Sequence, residues 1–591
     1  MSFRHRDILE LFMGTLSGDR DEFGRGIVPP TPLAFDRISE GQPLSSDFLL
    51  SRLPIELIWQ IIQLVPKADL ANLALVNRNC RQLARSRQFS SVTLDYSYSA
   101  TGILGILVKE HLERSLNHGK TISPSLGACV RSINVATQPG WIKFRHGVDL
   151  SEEFDQMDEE MRKRRLDEAC NCFYDLYMPN IILVLSSPSV LPHLERLDWE
   201  DRSTVDRNSF EAITSSNIQH LTLRRINVDE DFNLNLTPDE CNWRLRSLYL
   251  DVMWKLPSRK KEGRLSPLLC KILCLAAPTL ESLTWACFPW PKGQPVLLTD
   301  SVDGRPSFPK LNDLKISFMT QYDPSWLDVL IQHREGSPIR HLDINISAGP
   351  EVTEFFKKCG CLPRLETFVW QGLIQNDTDI AFLRANMQIR KLRLNHPAPS
   401  AWLEEQLFPL LCKSFSNLTS LSLTWDGEEI PQSALDRIST LDGLEQICLS
   451  AGNQHGWRHS WIINHGALQN CFRNLRGLRK IALSRDTYVD QEESDPLDYY
   501  ERRVPRNTVE LSAEETLAQL WELQHRDDMI LIADEYAKLL PNLGWIYFGQ
   551  LPMCIAQGQG GVRLVVPLSE DRDSCWTLLR RIFGRENDLS L

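Results

Sequence analysis

Leu245-Arg246-Ser247-Leu248-Tyr249-Leu250 and, further along, Leu280-Glu281-Ser282-Leu283-Thr284-Trp285 share one pattern. An apolar residue is followed by two variable ones, an apolar, one variable and a final apolar. Alternation of this kind reads as a short strand, with the fourth and sixth positions on one side and the third, fifth and seventh on the other. The pattern recurs at Leu194–Trp199, Ile218–Leu223, Leu311–Ile316, Ile339–Ile344, Leu365–Trp370, Ile389–Leu394, Leu418–Leu423, Leu444–Leu449 and Leu478–Leu483. Outlying copies stand at Phe89–Leu94, Val130–Val135 and Leu543–Phe548.

Between Leu194 and Leu478 the mean interval is about 28 residues, inside the range of leucine-rich repeats. A proline stands two residues before the first apolar position at Pro192, Pro278, Pro309, Pro363 and Pro541, far more often than 33 prolines in 591 residues would place one there by chance. The expected architecture is therefore an irregular α/β solenoid of short parallel strands with helical returns, for instance over Ser266–Ala277 and Asp379–Asn386. The Asn that usually follows the strand in regular repeats is mostly absent, which predicts uneven curvature. Outward positions on the expected concave face include Arg196, Asp198, Glu200, His220, Arg224, Tyr249, Asp251, Asp313, Lys315, His341, Asp343, Lys391 and Arg393. Solvation of a sheet face accounts for any one of them more readily than contact with a ligand does.

Ahead of the repeats, residues 51–94 read SRLPIELIWQIIQLVPKADLANLALVNRNCRQLARSRQFSSVTL. Pro54 suits a first helical turn, and Leu57, Ile58, Ile61, Ile62 and Val65 make one helical stripe. Pro66 stops that helix, Asp69 is placed to cap the next, and Leu70, Leu73, Val76, Cys80, Leu83 and Ala84 continue through two more short amphipathic helices. Three helices in so short a span are too few to seal a core alone, so an apolar flank should remain for a neighbour.

The expected organisation is a largely irregular leader (1–46, with a short helix at Ile8–Phe12), the helical trio (47–94), first repeats with a charged helical insertion (95–193), the solenoid (194–483), and an insertion with a C-terminal cap (484–591). The last part holds the acidic run DQEESD and a helix opened by the Ser512/Glu515 capping pair. Then come a strand from Trp545, a turn at Gln557–Gly561, a strand at Val562–Val566 and a helix at Ser574–Phe583.

A net charge of −12 argues against general nucleic-acid binding, because no cationic field is available to neutralise phosphates. Fifteen scattered cysteines, no signal-peptide core and no membrane-length apolar run point to a soluble protein of the cytoplasm or nucleus.

Leu53-Pro54-x-Glu56-Leu57-Ile58, Asp69-Leu70, Leu73, Val76 and Leu83-Ala84 resemble the F-box. Asn77 and Cys80 depart from the residues common there (Cys or Ser, and Trp). F-box followed by leucine-rich repeats is a known arrangement, similar to divergent fungal F-box proteins. The resemblance implies a non-catalytic, cofactor-free substrate-recognition subunit of a ubiquitin ligase. Leu53, Pro54, Leu57, Ile58, Ile61, Leu64, Leu70 and Leu73 would line the F-box core and the face docking a Skp-type adaptor, and through it a cullin. The repeats would hold an unidentified target protein through residues such as Arg196, Asp198, Arg224, Tyr249, Asp313, Lys315, Asp343, Lys391 and Arg393. The alternative is a repeat-based scaffold whose F-box serves no degradation.

Other motifs are weaker. His455 and His459 would share a helix face, but no Glu lies inside the pair, and Trp457 and Trp461 at the same spacing point to packing rather than metal. Cys170-x-Cys172 and Cys359-x-Cys361 lack zinc-module spacing and read as buried thiols. Gly119-Lys120-Thr121 lacks the first glycine of a phosphate loop, since position 114 is Arg114. Asp377-x-Asp379 and Asp571-x-Asp573 read as loop residues and caps. Arg162-Lys163-Arg164-Arg165 reads as a solvated helix face or, less simply, a nuclear signal.

Overall fold

The structure is a computed structural model that describes residues 53–95, 97–116, 125–135, 157–200, 205–228, 243–254, 267–286, 306–319, 329–331, 336–346, 356–357, 359–370, 377–394, 396–452, 454–455, 458–459, 461, 463–483, 527–548, 551–558 and 561–567. The helices expected at Ile8–Phe12, after Ser512 and at Ser574–Phe583 lie outside them, as do DQEESD, Gly119–Thr121 and Asp571/Asp573. The chain divides into two compact units, one within Pro29–Gln332 and one containing His333–Leu591.

The first unit opens with three helices, α1 (Ile55–Leu64), α2 (Lys67–Val76) and α3 (Arg78–Gln88). Pro54 and Pro66 stand one residue before α1 and α2 with extended ψ of 143° and 148°. Their carbonyls accept the first helical amides, Leu57 N at 3.0 Å and Asp69 N at 3.0 Å. Asp69 is thus inside the first turn and caps nothing with its side chain, although its charge still suits a helix N-terminus. Asn77 caps α3 by accepting from Cys80 N at 2.8 Å.

Strands β1 (Ser91–Leu94), β2 (Ser132–Val135), β3 (Arg196–Glu200), β4 (His220–Val228), β5 (Ser247–Trp254), β6 (Ser282–Ala286) and β7 (Asp313–Met319) then pair in parallel and in sequence order. Between them lie α4 (Tyr98–Leu116), α5 (Glu159–Leu185, capped by Asp158), α6 (Arg207–Ser215) and α7 (Pro267–Ala276). The second unit continues the plan with β8 (His341–Ile346), β9 (Thr367–Trp370), α8 (Asp377–Ala385), β10 (Lys391–Leu394), α9 (Phe408–Ser414), β11 (Ser420–Thr424), α10 (Gln432–Ile438) and β12 (Gln446–Ser450). A small hairpin, β13 (Gln454–His455) and β14 (Arg458–His459), precedes α11 (His465–Phe472), β15 (Lys480–Leu483) and a helix at 527–539. After β16 (Trp545–Phe548) the sheet turns antiparallel through β17 (Leu551–Gln557) and β18 (Arg563–Pro567).

Each unit is therefore a leucine-rich-repeat-like stack, and the register explains the sequence pattern. Leu221, Leu248, Leu283 and Leu314 face one another across successive strands, as do Leu223, Leu250, Trp285 and Ile316. All of these are buried, together with the first-position residues Leu194, Ile218, Leu245, Leu280 and Leu311. The recurrent proline has a mechanical role. Pro192, Pro309, Pro363 and Pro541 each occupy the second residue of a turn closed by the first apolar amide, for example Leu365 N to Leu362 O at 2.9 Å. Fixed φ suits that position and aims the following apolar side chain into the core.

Candidate functional site

The helical trio sorts its apolar residues into a sealed core and an open face. Ile58, Ile62 and Leu83 form a buried cluster with Leu73 packed against it, and Leu70, Cys80 and Ala84 are buried as well. Arg87 fixes α1 on α3, its Nη1 donating to the carbonyls of Ile62 and Val65 at the C-terminal end of α1. A cation there satisfies orphan carbonyls and complements the helix dipole.

Leu57, Ile61 and Leu64 lie at helical spacing on a face of α1 adjacent to that core, with Leu53 just before the helix, and all are exposed, Leu57 by 46% and Leu64 by 84%. Pro54 is exposed beside them, and Leu75 and Val76 at the end of α2 add further exposed apolar surface. Of the eight residues expected to line core and adaptor face, Leu53, Pro54, Leu57, Ile61 and Leu64 are thus open to a partner. Ile58 and Leu70 are consumed internally, and Leu73 is half-buried. Neither Arg87 nor Leu75 was singled out from the sequence, and Val76 was read only as part of the amphipathic pattern and the F-box resemblance. The signal for Arg87 is a basic residue one helix away from a proline-terminated helix, and for Leu75 an apolar residue beside Val76 at a helix end.

The outward face of the repeats is more closed than expected. Arg224, Tyr249, Asp313 and Asp343 are buried, and so is Asp251, whereas Arg196, Asp198, Lys315, Lys391 and Arg393 are half-buried. Side chains on neighbouring parallel strands stand only about 5 Å apart and screen one another. Arg224 illustrates this: its guanidinium lies 3.9 Å from Glu200 and 5.5 Å from the centre of the Tyr249 ring. Asp198, Arg224, Tyr249, Asp313, Lys315, Asp343, Lys391 and Arg393 all have interactions already, so a target must compete for them. His220 is pushed down to about 4 by burial, helped by Arg196 and Arg246.

The remaining motifs resolve as structure. His455 and His459 sit on the antiparallel hairpin, where Gln454 pairs with His459 and His455 with Arg458, not on a shared helix face. Trp461 is buried, in keeping with packing, and Trp457 lies outside the described residues. No metal-competent group of His, Cys, Asp or Glu occurs among the described residues. Cys359 is buried, but Cys172 and Cys361 are exposed, correcting the expectation of buried thiols. Asp377 and Asp379 occupy the first turn of α8, and Arg162–Arg165 lie on α5, mostly exposed. Among the described residues no helix is long and apolar enough to cross a membrane.

Residues 50–91 match the family model described as F-box domain. No curated protein matches the chain. Among solved structures, it is similar to an internalin from Listeria monocytogenes, with 16% identity, a TM-score of 0.28, and coverage of 50% of this chain and 68% of that one. It is also similar to TLR13 in a complex with ssRNA13, with 16% identity, a TM-score of 0.28, and coverage of 51% of this chain and 41% of that one. The stretch that matches the F-box model therefore stands directly ahead of the parallel repeat strands.

Proposed function

We propose, from the F-box at residues 50–91, that this protein is a protein-interaction adaptor serving as the substrate-recognition subunit of a cullin-based ubiquitin ligase. F-box domains generally bind Skp-type adaptors and are non-catalytic. The observation that carries the reading is the division within the trio: a core already closed by Ile58, Ile62 and Leu83, and a separate exposed stripe of Leu53, Leu57, Ile61 and Leu64. Exposed apolar patches of this kind mark interaction sites. Association entropy consumes much of the burial gain, so a few central anchors on α1 would dominate adaptor affinity. The repeats would hold a target protein near the ubiquitin-charged enzyme and raise its effective concentration without covalent chemistry of their own.

The test is purification of the full chain from cells whose cullin activation is blocked, comparing wild type with Leu57→Asp/Leu64→Asp and Leu53→Ala/Pro54→Ala. Adaptor and cullin should co-purify with wild type and fall at least about tenfold with the Asp pair, at unchanged melting temperature. Adaptor without cullin would favour a scaffold outside degradation. Undiminished adaptor in both variants would remove this face from the interface.

A further inference from the structure

The second unit gathers positive charge and unpaired polar atoms on one stretch of its outward face. The register lines up Lys391, Ser420, Gln446, Lys480 and Trp545 on β10, β11, β12, β15 and β16. Two residues further along each strand, and so on the same side, come Arg393, Ser422, Cys448, Ala482 and Tyr547. Three of these ten positions are cationic and none is acidic. Carboxylates stand at the margins, as with Glu445 one residue before Gln446 and Asp343 two strands beyond Arg393. The whole chain carries −12, so the patch runs against the charge of the protein that bears it.

Three polar atoms inside the patch are orphans. Ser420 Oγ, Gln446 Oε1 and Trp545 Nε1 have no hydrogen-bond partner among the described residues, and the three residues are 0%, 6% and 8% exposed. Buried polar groups are nearly always paired, and an unpaired one costs stability that a ligand returns by pairing it. The chemistry of the three is mixed. Ser420 and Trp545 carry protons to donate, whereas Gln446 Oε1 only accepts. A free anion would serve the donors alone, but a peptide also brings backbone N–H groups.

The spacing of the cations narrows the class further. Small side chains at Ser420, Ser422, Cys448 and Ala482 stand between Lys391 and Arg393 on one flank and Lys480 with the stacked Trp545 and Tyr547 rings on the other. Three strand steps separate Lys391 from Lys480, about 14 Å, the span of about four residues of extended chain. Charges spread along such a line suit several carboxylates in a row. A single phosphate would draw its cations to one point. Lys391, Arg393 and Lys480 are half-buried and already have interactions, so a ligand reaches the orphans as these long side chains swing toward solvent.

We infer that this stretch of β10–β16 binds an extended acidic peptide segment, its carboxylates meeting Lys391, Arg393 and Lys480 and its backbone pairing with Gln446. The inference rests on the reading of the repeats as the target-holding part. Adaptor capture by the F-box tests the ligase reading separately, so either can fail alone. Fluorescence anisotropy on the full chain, with labelled hexaglutamate and hexaglutamine as probes, tests the site. Wild type should bind hexaglutamate at least about tenfold more tightly, and the preference should fade as salt rises from about 0.05 to about 0.5 M. Lys391→Gln/Lys480→Gln should weaken hexaglutamate at least about tenfold, whereas Lys109→Gln, which removes an exposed cation on α4, should leave it unchanged. Ser420→Ala should weaken it about threefold without lowering the melting temperature, because the free chain gains nothing from an unpaired hydroxyl. Equal affinity for the two probes would overturn the inference, as would wild-type affinity in Lys391→Gln/Lys480→Gln. Tighter binding of hexaglutamine carrying one phosphoserine, or of a single-stranded oligothymidylate, would overturn the acidic-peptide class.

Discussion

Arg246 and Glu281 occupy the same position in successive repeats and hold each other at two levels. The Arg246 guanidinium donates to both carboxylate oxygens at 3.0 and 2.9 Å, and the Glu281 amide donates to the Arg246 carbonyl at 2.7 Å. The same position pairs Arg131 with Glu195, and Arg340 with Glu366 at 3.4 Å. Beneath the charges the backbone ladder runs on whatever the side chain, as in Gln219 N to Glu195 O at 2.8 Å and Thr419 N to Arg390 O at 2.8 Å. Glu281 holds the Arg246 guanidinium above its usual range, chiefly through the hydrogen bond.

Because both side chains are well solvated, the ion pair contributes at most about 1 kcal/mol. Arg246→Ala should lower stability by less than that, and the deficit should shrink at high salt. Urea titrations at two ionic strengths measure it. A salt-insensitive loss above about 2 kcal/mol would show that the pair does more than decorate the ladder.

Gly127 is where the first unit has no room. A Cβ there would run into the Val190 carbonyl oxygen, a backbone atom that cannot swing away. The Gly127 amide meanwhile donates to Glu110 at 3.0 Å. Gly127→Ala should therefore cost about 2 kcal/mol or more by overpacking. Gly102, on the exposed side of α4 with nothing within 4 Å, supplies the control. Gly102→Ala should stabilise by roughly 0.5–1 kcal/mol through helix propensity. Equal effects of the two changes in thermal melts would rule out the close approach as the cause.

The repeated strands were legible because each apolar position carries its own signal. Leu248 and Leu250 alternate with polar residues, and burial follows alternation wherever one face is packed. The outward residues were not legible in the same way. Nothing local tells that Tyr249 and Arg224 will stack on each other and become buried, since that depends on the register between β4 and β5 and on the bulge after Leu223. His455 and His459 misled for a related reason. A spacing of four fits a helix, but Gln454 pairs with His459 and His455 with Arg458 on two antiparallel strands. In the trio, the stripe on α1 was visible, yet Leu57 and Ile58 are neighbours with opposite fates, decided by where α3 packs.

That division predicts opposite outcomes along one helix. Ile62→Ala removes a buried member of the core cluster and should cost about 2–4 kcal/mol, unfolding the trio locally. Leu64→Ala, at a residue 84% exposed, should leave stability within about 0.5 kcal/mol. Arg87→Met keeps much of the stem but removes the donor to both carbonyls, leaving that of Ile62 the Val65 amide at 3.3 Å, and should cost about 1–3 kcal/mol. Hydrogen exchange resolved over residues 55–88 reads these separately from the repeats. A stability loss for Leu64→Ala as large as that for Ile62→Ala would mean that the stripe is part of the core.

Two histidines make the fold acid-sensitive. His465 is pushed down to about 4 by burial, and its place as the first residue of α11 adds a helix N-terminus that disfavours positive charge. Its Nδ1 lies 3.1 Å from the Tyr536 hydroxyl, whose own pKa burial raises well above 10, so that partner stays neutral. His220 is likewise held near 4. Since the folded values lie below the usual 6.5, the unfolded chain takes up these protons first as pH falls. Each group then removes up to about 1 kcal/mol of stability per pH unit between roughly 6.5 and 4, and nothing above that window. Carboxylates titrate in the same range, so the diagnostic quantity is the difference between wild type and His465→Gln or His220→Gln. Wild type should be the more stable at pH 7.5, and its advantage should shrink or reverse by pH 4.5. Stability curves for wild type and variants that stay parallel across this range would show that neither imidazole is held neutral by the fold.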